Sequence, residues 1–297
     1  FGGIGGTSKR GIMVKGANYL EELAKARTFV FDKTGTLTKG SFEVSEINPA
    51  GISEEELLSL CASAEKISNH PIAKSIVRAA EKRSLSMDAE NAEEIAGFGV
   101  KAVVSGKEIF VGNARLMEKN GVSAEKTSAA GTVIYCAANG KYAGNIVVCD
   151  TPKDNAASAL KKLTELGADR KIMLTGDRKS AAEAVANALG IDEVRAELLP
   201  EGKVSAVEEI YSAKPPKSTL CFVGDGMNDA PSLARADVGI AMGALGSDAA
   251  IEAADIVLMN DNIESVPLAV KIARKTHRIV TENIVFALAV KAAVLIL

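Results

Sequence analysis

Tryptophan is absent from this chain of 297 residues, and aromatic residues make up only 4% of it. Proteins that bind single-stranded nucleic acids stack the bases on aromatic side chains, and this composition offers no such platform. Positive charge is not in excess either, because 35 basic residues are outnumbered by 38 acidic ones and the net charge is -3. We therefore expect no nucleic-acid partner held by bulk electrostatic attraction.

Cysteine is also sparse, and the chain contains no CxxC pair. Its four cysteines are scattered and mostly lie inside apolar runs: Cys61, Cys136, Cys149 and Cys221. Disulfide frameworks and zinc sites have characteristic close spacings that are missing here. The pattern therefore predicts buried free thiols in a reducing compartment.

No apolar run reaches the roughly 20 residues that a transmembrane helix needs. The nearest approach is IVFALAVKAAVLIL at 284–297, whose apolar residues occupy every helical face. That distribution favours the start of a transmembrane helix over 276–297 rather than a buried amphipathic helix. Lys291 then lies inside the span, either as a functional group or as a side chain that reaches the interface. Since the chain also starts at Phe1 without Met, we expect both ends to be cuts into a longer protein, with 1–16 the end of a membrane segment and a linker.

What the sequence does contain is a regular alternation of strands and helices after residue 150. Helices are predicted over 153–166, 178–189, 201–212 and 228–235, with strands over 171–174, 193–196, 218–223 and 237–241. Strands separated by helices of this length indicate right-handed βαβ units and a parallel sheet. The apolar run 28–32, preceded by a helix over 17–27, supplies a further strand of that sheet.

Residues 41–149 follow a different pattern. One helix starts after Ser53, which is followed by three glutamates, and a second starts at Pro71 and runs to about residue 83. β-like runs follow, separated by turns at 105–107 and 139–141: 100–105, 108–111, 132–138 and 142–148. The predicted fold class is therefore α/β, with a discontinuous parallel domain (17–40 and 150–275) into which an α+β domain (41–149) is inserted.

Polar groups suited to phosphate chemistry follow several of the predicted strands. Asp32 ends the strand 28–32 and is followed by the small residues of the string DKTGTLT. Because ligands of open α/β sheets bind at the carboxyl ends of the strands, Asp32 is presented there as a candidate carboxylate nucleophile. The run 171–174 leads into Thr175-Gly176-Asp177, the run 218–223 leads into GDGMND, and Lys203 opens a helix. A carboxylate pair for Mg²⁺, a lysine and a hydroxyl suffice for phosphoryl transfer.

DKTGTLT, TGD and GDGMND in this order resemble the haloacid-dehalogenase-like core of the P-type ATPases. The resemblance implies that Asp32 is phosphorylated and that Asp32, Thr34 and Asp225 form the Mg²⁺ site. It also implies that four residues contact the phosphoryl group: Thr36, Thr175, Gly176 and Lys203. Three further residues are implied to support the loops of the site: Asp177, Asn228 and Asp229. Lys153 stands where the family's DxxR segment usually carries arginine, and this departure argues against a bidentate contact at that position.

The inserted domain carries the string EKISNHPIA and, further on, Gly97-Phe98-Gly99. Glycines let the backbone approach a base or a phosphate, and an imidazole hydrogen-bonds or stacks on adenine, although a histidine before proline is also an ordinary helix cap. The two strings resemble the nucleotide-binding domain of heavy-metal-transporting P-type ATPases. The resemblance implies an ATP site lined by Glu65, Ser68, His70, Pro71, Gly97, Gly99, Val100, Gly112 and Asn113.

The segments Met242-Gly243-Ala244 and 283–291 resemble the zinc/cadmium/lead-exporting branch of that family. The resemblance implies an ATP-driven export of a divalent heavy-metal ion, with ATP and Mg²⁺ as cofactors. It also implies an integral protein of the cell membrane whose domains described here face the cytoplasm. A copper-transporting member and a soluble phosphatase with the same core stay open as alternatives.

Overall fold

The structure is a computed structural model that describes residues 2–86, 88–124, 131–225, 229–243 and 248–296. The chain divides into two compact units, one formed by residues 1–38 with 152–297 and the other by residues 39–151. That these units are the phosphorylation and nucleotide-binding domains remains a prediction.

A seven-stranded sheet forms the centre of the first unit, in the order β1-β13-β12-β11-β2-β9-β10. Its strands are β1 (Ile12–Val14), β2 (Ala26–Asp32), β9 (Arg170–Leu174), β10 (Glu193–Arg195), β11 (Thr219–Gly224), β12 (Val238–Met242) and β13 (Ile256–Leu258). Within this sheet, β1 runs antiparallel to its neighbour β13. All other neighbouring strands, from β13 across to β10, run parallel to each other. The central strands β2, β9, β11 and β12 are largely buried on both faces, which explains the continuous apolar runs in their sequences.

Helices cover both faces of this sheet. They are α1 (Gly2–Ser8), α2 (Ala17–Ala24), α6 (Ala156–Glu165), α7 (Lys179–Leu189), α8 (Pro200–Ala213), α9 (Ala230–Arg235), α10 (Asp248–Ala253) and α11 (Ser265–Ile296). Residues of α2, α6, α7 and α11 share one buried apolar cluster with side chains such as Phe29 and Phe31. Residues of α8, α9 and α10 share another with side chains such as Val30 and Phe222. The predicted α/β fold with a parallel sheet is confirmed.

The second unit contains a six-stranded sheet in the order β3-β8-β7-β6-β5-β4. Its elements are β3 (Thr38–Pro49), α3 (Glu54–Glu65), α4 (Pro71–Lys82), β4 (Glu90–Ile95), β5 (Gly99–Val104), β6 (Lys107–Gly112), α5 (Ala114–Lys119), β7 (Thr132–Ala138) and β8 (Lys141–Pro152). From β4 to β8, each strand pairs antiparallel with the strand that follows it in the sequence. Side chains of α3 and α4 pack on one face in a cluster that includes Cys61 and Cys136.

Local signals predicted the starts of α3 and α4 correctly, whereas α5 (Ala114–Lys119) was not predicted. The Ser53 side chain accepts a hydrogen bond from the backbone N–H of Glu56 at 3.1 Å and so caps α3. Pro71 occupies the first turn of α4. Of the four free cysteines, Cys61, Cys136 and Cys221 are buried and Cys149 is half-buried.

Some elements differ from the prediction. The first predicted helix, 17–27, ends at Ala24 because Ala26 already belongs to β2. The strand β4 was not predicted, because its sequence ENAEEI has no apolar alternation and its residues are exposed or half-buried. The strand β3 and the short strands β1 and β13 were also missed.

The C-terminal helix α11 is continuous from Ser265 to Ile296, so the domain boundary predicted between 275 and 276 falls inside it. Its second half exposes many apolar side chains, with Phe286 70% exposed. Within the part of the chain that is described, no helix has an apolar stretch long enough to cross a membrane. The predicted start of a transmembrane helix at 276–297 is therefore not confirmed.

Candidate active site

The sheet brings together three segments that are far apart in sequence. β2 lies between β11 and β9, and Asp32 at its end pairs in register with Leu174, directly before Thr175. On the other side Val223 pairs with Phe31, so Asp225 follows β11 at the same edge. Because parallel strands end at one edge, the polar residues after them converge there.

Three carboxylates form the centre of this edge. One oxygen each of Asp32, Asp225 and Asp229 lies within 4.8 Å of the others. Asp32 and Asp229 are buried, and Asp225 is half-buried. Hard carboxylate oxygens at this spacing are suitable ligands for Mg²⁺, and a cation would offset the repulsion between the three charges. The donor set therefore fits the magnesium ion that the sequence implies, with Asp229 as a candidate ligand that was not included in the predicted set.

Lys203 at the start of α8 reaches into the same cluster. Its Nζ donates to Asp32 Oδ1 at 2.5 Å and to Asp229 Oδ1 at 3.0 Å. Burial would lower the pKa of Lys203, but the charges of Asp32 and Asp229 outweigh it and raise the pKa. Burial raises the pKa of Asp32 to about 7, with the charge of Asp229 adding to the effect and Lys203 opposing it. The lysine is thus a fixed positive charge beside the candidate nucleophile.

The turn Lys33–Leu37 after Asp32 is shaped by Gly35, whose φ is 74°. A Cβ atom at Gly35 would overlap the Asp225 carboxylate, so only glycine permits this approach. Thr34 is exposed, whereas the Thr36 side chain is fully buried. Among the described residues the Thr36 hydroxyl has no hydrogen-bond partner. A buried hydroxyl in this condition is available to a ligand such as a phosphoryl oxygen.

The loop after β9 is bound to the same turn. Asp177 Oδ2 forms an ion pair with the buried Lys33 at 2.6 Å, and the backbone N–H of Asp177 donates to the Thr175 hydroxyl oxygen at 3.1 Å. Thr175 is buried and Gly176 is exposed. The Thr175 hydroxyl therefore keeps its own proton for an acceptor at the site. These contacts hold Asp177 in the loop, while its role in supporting a phosphoryl site remains a prediction, and its partner Lys33 was not anticipated.

Two further residues were predicted for this site, Asn228 and Asp229. Asn228 lies outside the described residues. Asp229 was predicted to support the loop, and the structure places its carboxylate within the charged cluster itself. The contact of Lys33 with Asp177 joins residues far apart in sequence, and no local pattern signals it.

In the second unit, the predicted nucleotide residues Glu65, Ser68, His70 and Pro71 lie at the end of α3 and the start of α4. His70 Nδ1 accepts a hydrogen bond from the Ile72 N–H at 3.2 Å, so the histidine caps α4 and leaves its other ring nitrogen at the surface. The Ser68 hydroxyl accepts from the His70 N–H at 3.3 Å. Both roles order the SNHP string locally, whether or not a ligand is bound.

Two of the predicted glycines have a structural reason within the sheet. A Cβ atom at Gly99 would overlap the Val111 carbonyl, and one at Gly112 would overlap the Phe98 carbonyl. Asn113 accepts from the Leu116 N–H to cap α5 and donates to the Gly97 carbonyl at 2.9 Å. The neighbouring Val100 is buried, and its pairing partner is Val111. These residues fix the backbone around Gly97.

Gly97 differs from Gly99, and the pair yields a prediction. Gly97 has φ 77°, and no described atom lies within 4 Å of the position that a Cβ atom would occupy there, whereas Gly99 combines φ 146° with the overlap described above. We expect Gly99→Ala to destabilise the second unit by more than about 2 kcal/mol, and Gly97→Ala by about 1 kcal/mol, the usual cost of a left-handed backbone. Chemical denaturation measures both. Equal losses would contradict the steric assignment, and weaker ATP binding by a well-folded Gly97→Ala variant would support a nucleotide contact there.

Glu65 yields a prediction of pH dependence. Its side chain is buried, and burial raises its pKa to about 7, with the charge of Glu94 adding to the effect. The folded state therefore binds the proton more tightly than the unfolded state, whose pKa is 4.5. Stability from this group is full below pH 4.5 and is lost as the pH rises to about 7. Relative to Glu65→Gln, the wild-type unfolding free energy should fall over this range by about 2 to 3 kcal/mol.

The control for this prediction is Glu94→Gln, which removes the neighbouring charge and leaves Glu65 buried. In that variant the fall relative to Glu65→Gln should be smaller and should end at a lower pH. Urea titrations at a series of pH values without nucleotide measure the difference. Parallel wild-type and Glu65→Gln curves would show that Glu65 does not titrate in this range.

Comparison with known proteins places this site in a family. The sequence profile of the haloacid dehalogenase-like hydrolases matches residues 26–237, which include Asp32, Thr175, Lys203 and Asp225. The chain therefore belongs to the haloacid dehalogenase-like hydrolases.

Within that family the chain is similar to metal-transporting P-type ATPases, which confirms the resemblance predicted from sequence. It is 53% identical to a cadmium, zinc and cobalt-transporting ATPase of Bacillus subtilis (strain 168), over 100% of this chain and 42% of that protein. A zinc-transporting PIB-type ATPase in its E2·Pi state superimposes with a TM-score of 0.88 at 37% identity, over 99% of this chain and 48% of that one.

A third match has nearly the same extent as this chain. The catalytic domain of the CPx-ATPase CopB-B superimposes with a TM-score of 0.70 at 30% identity, over 90% of this chain and 98% of that one. The chain thus spans about two fifths of the length of the Bacillus relative, whereas it covers nearly all of the CopB-B catalytic domain.

Proposed function

We propose that this chain is the catalytic part of an ATP-driven heavy-metal exporter and that Asp32 accepts the γ-phosphate of ATP. The observation that carries the proposal is the position of Asp32 at the end of β2. There it contacts the Lys203 ammonium and lies within 4.8 Å of the carboxylates of Asp225 and Asp229. A carboxylate nucleophile beside a fixed cation and a cation-binding carboxylate pair is suited to phosphoryl transfer.

In the proposed reaction, one oxygen of the Asp32 carboxylate attacks the γ-phosphorus of ATP. The bond from that phosphorus to the bridging oxygen breaks, ADP leaves with the electron pair, and an aspartyl phosphate forms. Lys203 neutralises charge next to Asp32, and the hydroxyls of Thr36 and Thr175 are available to donate to phosphoryl oxygens. Asp32, Asp225 and Asp229, with Thr34, would hold Mg²⁺, which supplies further charge neutralisation when bound.

The ATP itself is proposed to bind the second unit around Glu65, His70 and Gly97. His70 keeps a ring nitrogen at the surface, Glu65 is a buried carboxyl at the end of α3, and the Gly97 backbone is open. The similarity to the CPx-ATPase catalytic domain, whose structure is described as changing conformation upon nucleotide binding, supports this assignment.

The transported ion is proposed to be zinc, cadmium or a similar divalent cation, because the Bacillus relative and the zinc-transporting structure carry those activities in their names. The copper-transporting alternative has less support from these two proteins. The proposal places this chain on the cytoplasmic side of a membrane-embedded transporter.

Labelling with γ-phosphate-labelled ATP and Mg²⁺ tests the proposal. The wild-type chain should form an acid-stable, hydroxylamine-sensitive adduct, and Asp32→Asn should reduce the label to background because an amide is a poor nucleophile. Asp169→Asn is a matched control, since Asp169 is a half-exposed aspartate that pairs with Arg27. Removal of Mg²⁺ by a chelator should also abolish labelling.

Two outcomes would contradict the proposal. Label that persists in Asp32→Asn would show that another residue is the acceptor. Hydrolysis of small phosphomonoesters by a chain that does not bind ATP would instead favour a phosphatase with the same core.

A further inference from the structure

Lys153 is a buried lysine whose two side-chain partners lie in separate segments of the first unit. Its Nζ donates to the Gly35 carbonyl at 2.7 Å and to Asp261 Oδ1 at 2.5 Å. The Lys153 side chain is 7% exposed and that of Asp261 is 61% exposed. A buried ammonium needs a counter-charge and acceptors, so these partners determine where it lies.

On one side Lys153 holds the turn that follows Asp32. Its ammonium binds the Gly35 carbonyl, and its backbone N–H donates to the Leu37 carbonyl at 2.9 Å. Gly35 in turn lies so close to Asp225 that a methyl group would not fit between them. A displacement of Lys153 would therefore displace Gly35, and Gly35 would in turn displace Asp225, a candidate Mg²⁺ ligand.

On the other side Asp261 belongs to the segment that leads into α11. The next residue, Asn262, accepts hydrogen bonds from the Glu264 N–H at 2.9 Å and from Asn155 Nδ2 at 2.6 Å. Glu264 accepts from Lys162 at 2.7 Å, so the whole segment is bound to α6. The position of Asp261 is thus tied to the start of α11.

Helix α11 is itself bound to the edge of the sheet opposite the site. Arg274 donates to the carbonyls of Ala24, the last residue of α2, and of Ala26, the first residue of β2. Val266 and Ala273 of the same helix are fully buried in the core. Because α11 is packed in the core, it moves as a unit, and its displacement would also displace Asp261.

We propose that Lys153 is a positioning residue that couples α11 to the turn around Asp32 through its bonds to Asp261 and Gly35. This inference rests on the proposed function, since it concerns how the phosphoryl acceptor is held. Phosphoryl transfer depends on in-line placement, and an error of about 1 Å costs on the order of 100-fold in rate. Asp261 is itself exposed, but it is the counter-charge of a buried ammonium, so its loss is expected to lower stability as well as to release the turn.

The test uses the whole chain and two measurements: hydrogen exchange at residues 33–37 and the rate of labelling by ATP. Lys153→Gln and Asp261→Asn should both speed the exchange of these amides and slow labelling about tenfold or more, with ATP affinity unchanged. The double variant should be no worse than Lys153→Gln, because both changes break one connection. Lys153→Arg, which keeps the charge and donors, should recover most of the rate.

Lys162→Gln is the matched control. It breaks a Lys–acid pair between α6 and the same segment, yet Lys162 and its partner Glu264 are bonded to each other rather than to the turn. It should leave the exchange of 33–37 and the labelling rate as in the wild type.

Two results would overturn the inference. If Asp261→Asn keeps wild-type exchange and labelling, α11 is not coupled to the turn, and Asp261→Asn reports this even if Lys153→Gln fails to fold. If Lys162→Gln is as impaired as Asp261→Asn, general packing of the segment is responsible rather than Lys153. Should the wild type not be labelled at all, the proposed function fails while the exchange measurement still tests the coupling.

Discussion

Lys203→Met is expected to lower the unfolding free energy by about 3 kcal/mol and to abolish phosphorylation of Asp32. The lysine contacts two buried carboxylates, Asp32 at 2.5 Å and Asp229 at 3.0 Å, with side chains only 7% and 2% exposed. Without the ammonium these charges repel each other in a region with little water. Removing one partner of a buried charge cluster costs about 3 to 5 kcal/mol in proteins, and part is regained by protonation or rearrangement.

A double variant separates the two effects of this lysine. In Lys203→Met/Asp229→Asn one of the repelling charges is gone, so stability should return to within about 1 kcal/mol of the wild type. Labelling should remain at background, because the ammonium beside Asp32 is missing and Asp229, a candidate Mg²⁺ ligand, has lost its charge. If the double variant is labelled normally, Lys203 serves stability alone.

Lys171→Met is the control for Lys203→Met. Lys171 is also a buried lysine, and it pairs with Asp192 at 2.9 Å, but it lies at the beginning of β9 and so at the opposite edge of the sheet. The Lys171→Met variant should be less stable than the wild type, but its folded fraction should be labelled as in the wild type. Urea denaturation and the labelling assay, applied to the same samples, measure both quantities. A Lys203→Met variant as stable as the wild type would contradict the role of Lys203 in offsetting the carboxylates.

Gly35→Ala is expected to have the second largest effect. Its φ of 74° costs a non-glycine residue about 1 kcal/mol, and the added methyl overlaps the Asp225 carboxylate. Either the turn or Asp225 must move, so we expect a total loss of about 2 to 4 kcal/mol and a rate of labelling lower by about 100-fold. Affinity for Mg²⁺, measured from the dependence of labelling on its concentration, should fall as well.

Gly190→Ala is the matched control for that substitution. Gly190 has φ 70° at the end of α7, and a Cβ atom there would meet nothing within 4 Å in the part of the chain that is described. It should show the backbone cost of about 1 kcal/mol and normal labelling. If both variants lose the same stability and both are labelled normally, the contact of Gly35 with Asp225 has no functional importance.

Much of the fold and part of the candidate site could be predicted from the sequence, because those features depend on residues that are neighbours along the chain. The apolar run before Asp32 predicts a buried strand, and Ser53 and Pro71 predict helix starts. Since parallel strands end at one edge, Asp32, Thr175 and Asp225 were expected to meet, and the structure brings them there. The strand β4 was missed, because an exposed edge strand carries no apolar alternation.

The order of residues was thus enough to predict which segments reach the candidate site and that an aspartate is its centre. The folded chain was needed to show that Asp229 joins the carboxylate cluster, that Lys33 pairs with Asp177, and that Lys153 links Gly35 to Asp261. The difference lies in the range of the interactions. Strand and turn preferences act over a few residues, whereas an ion pair between residues 153 and 261 depends on where two packed elements come to lie.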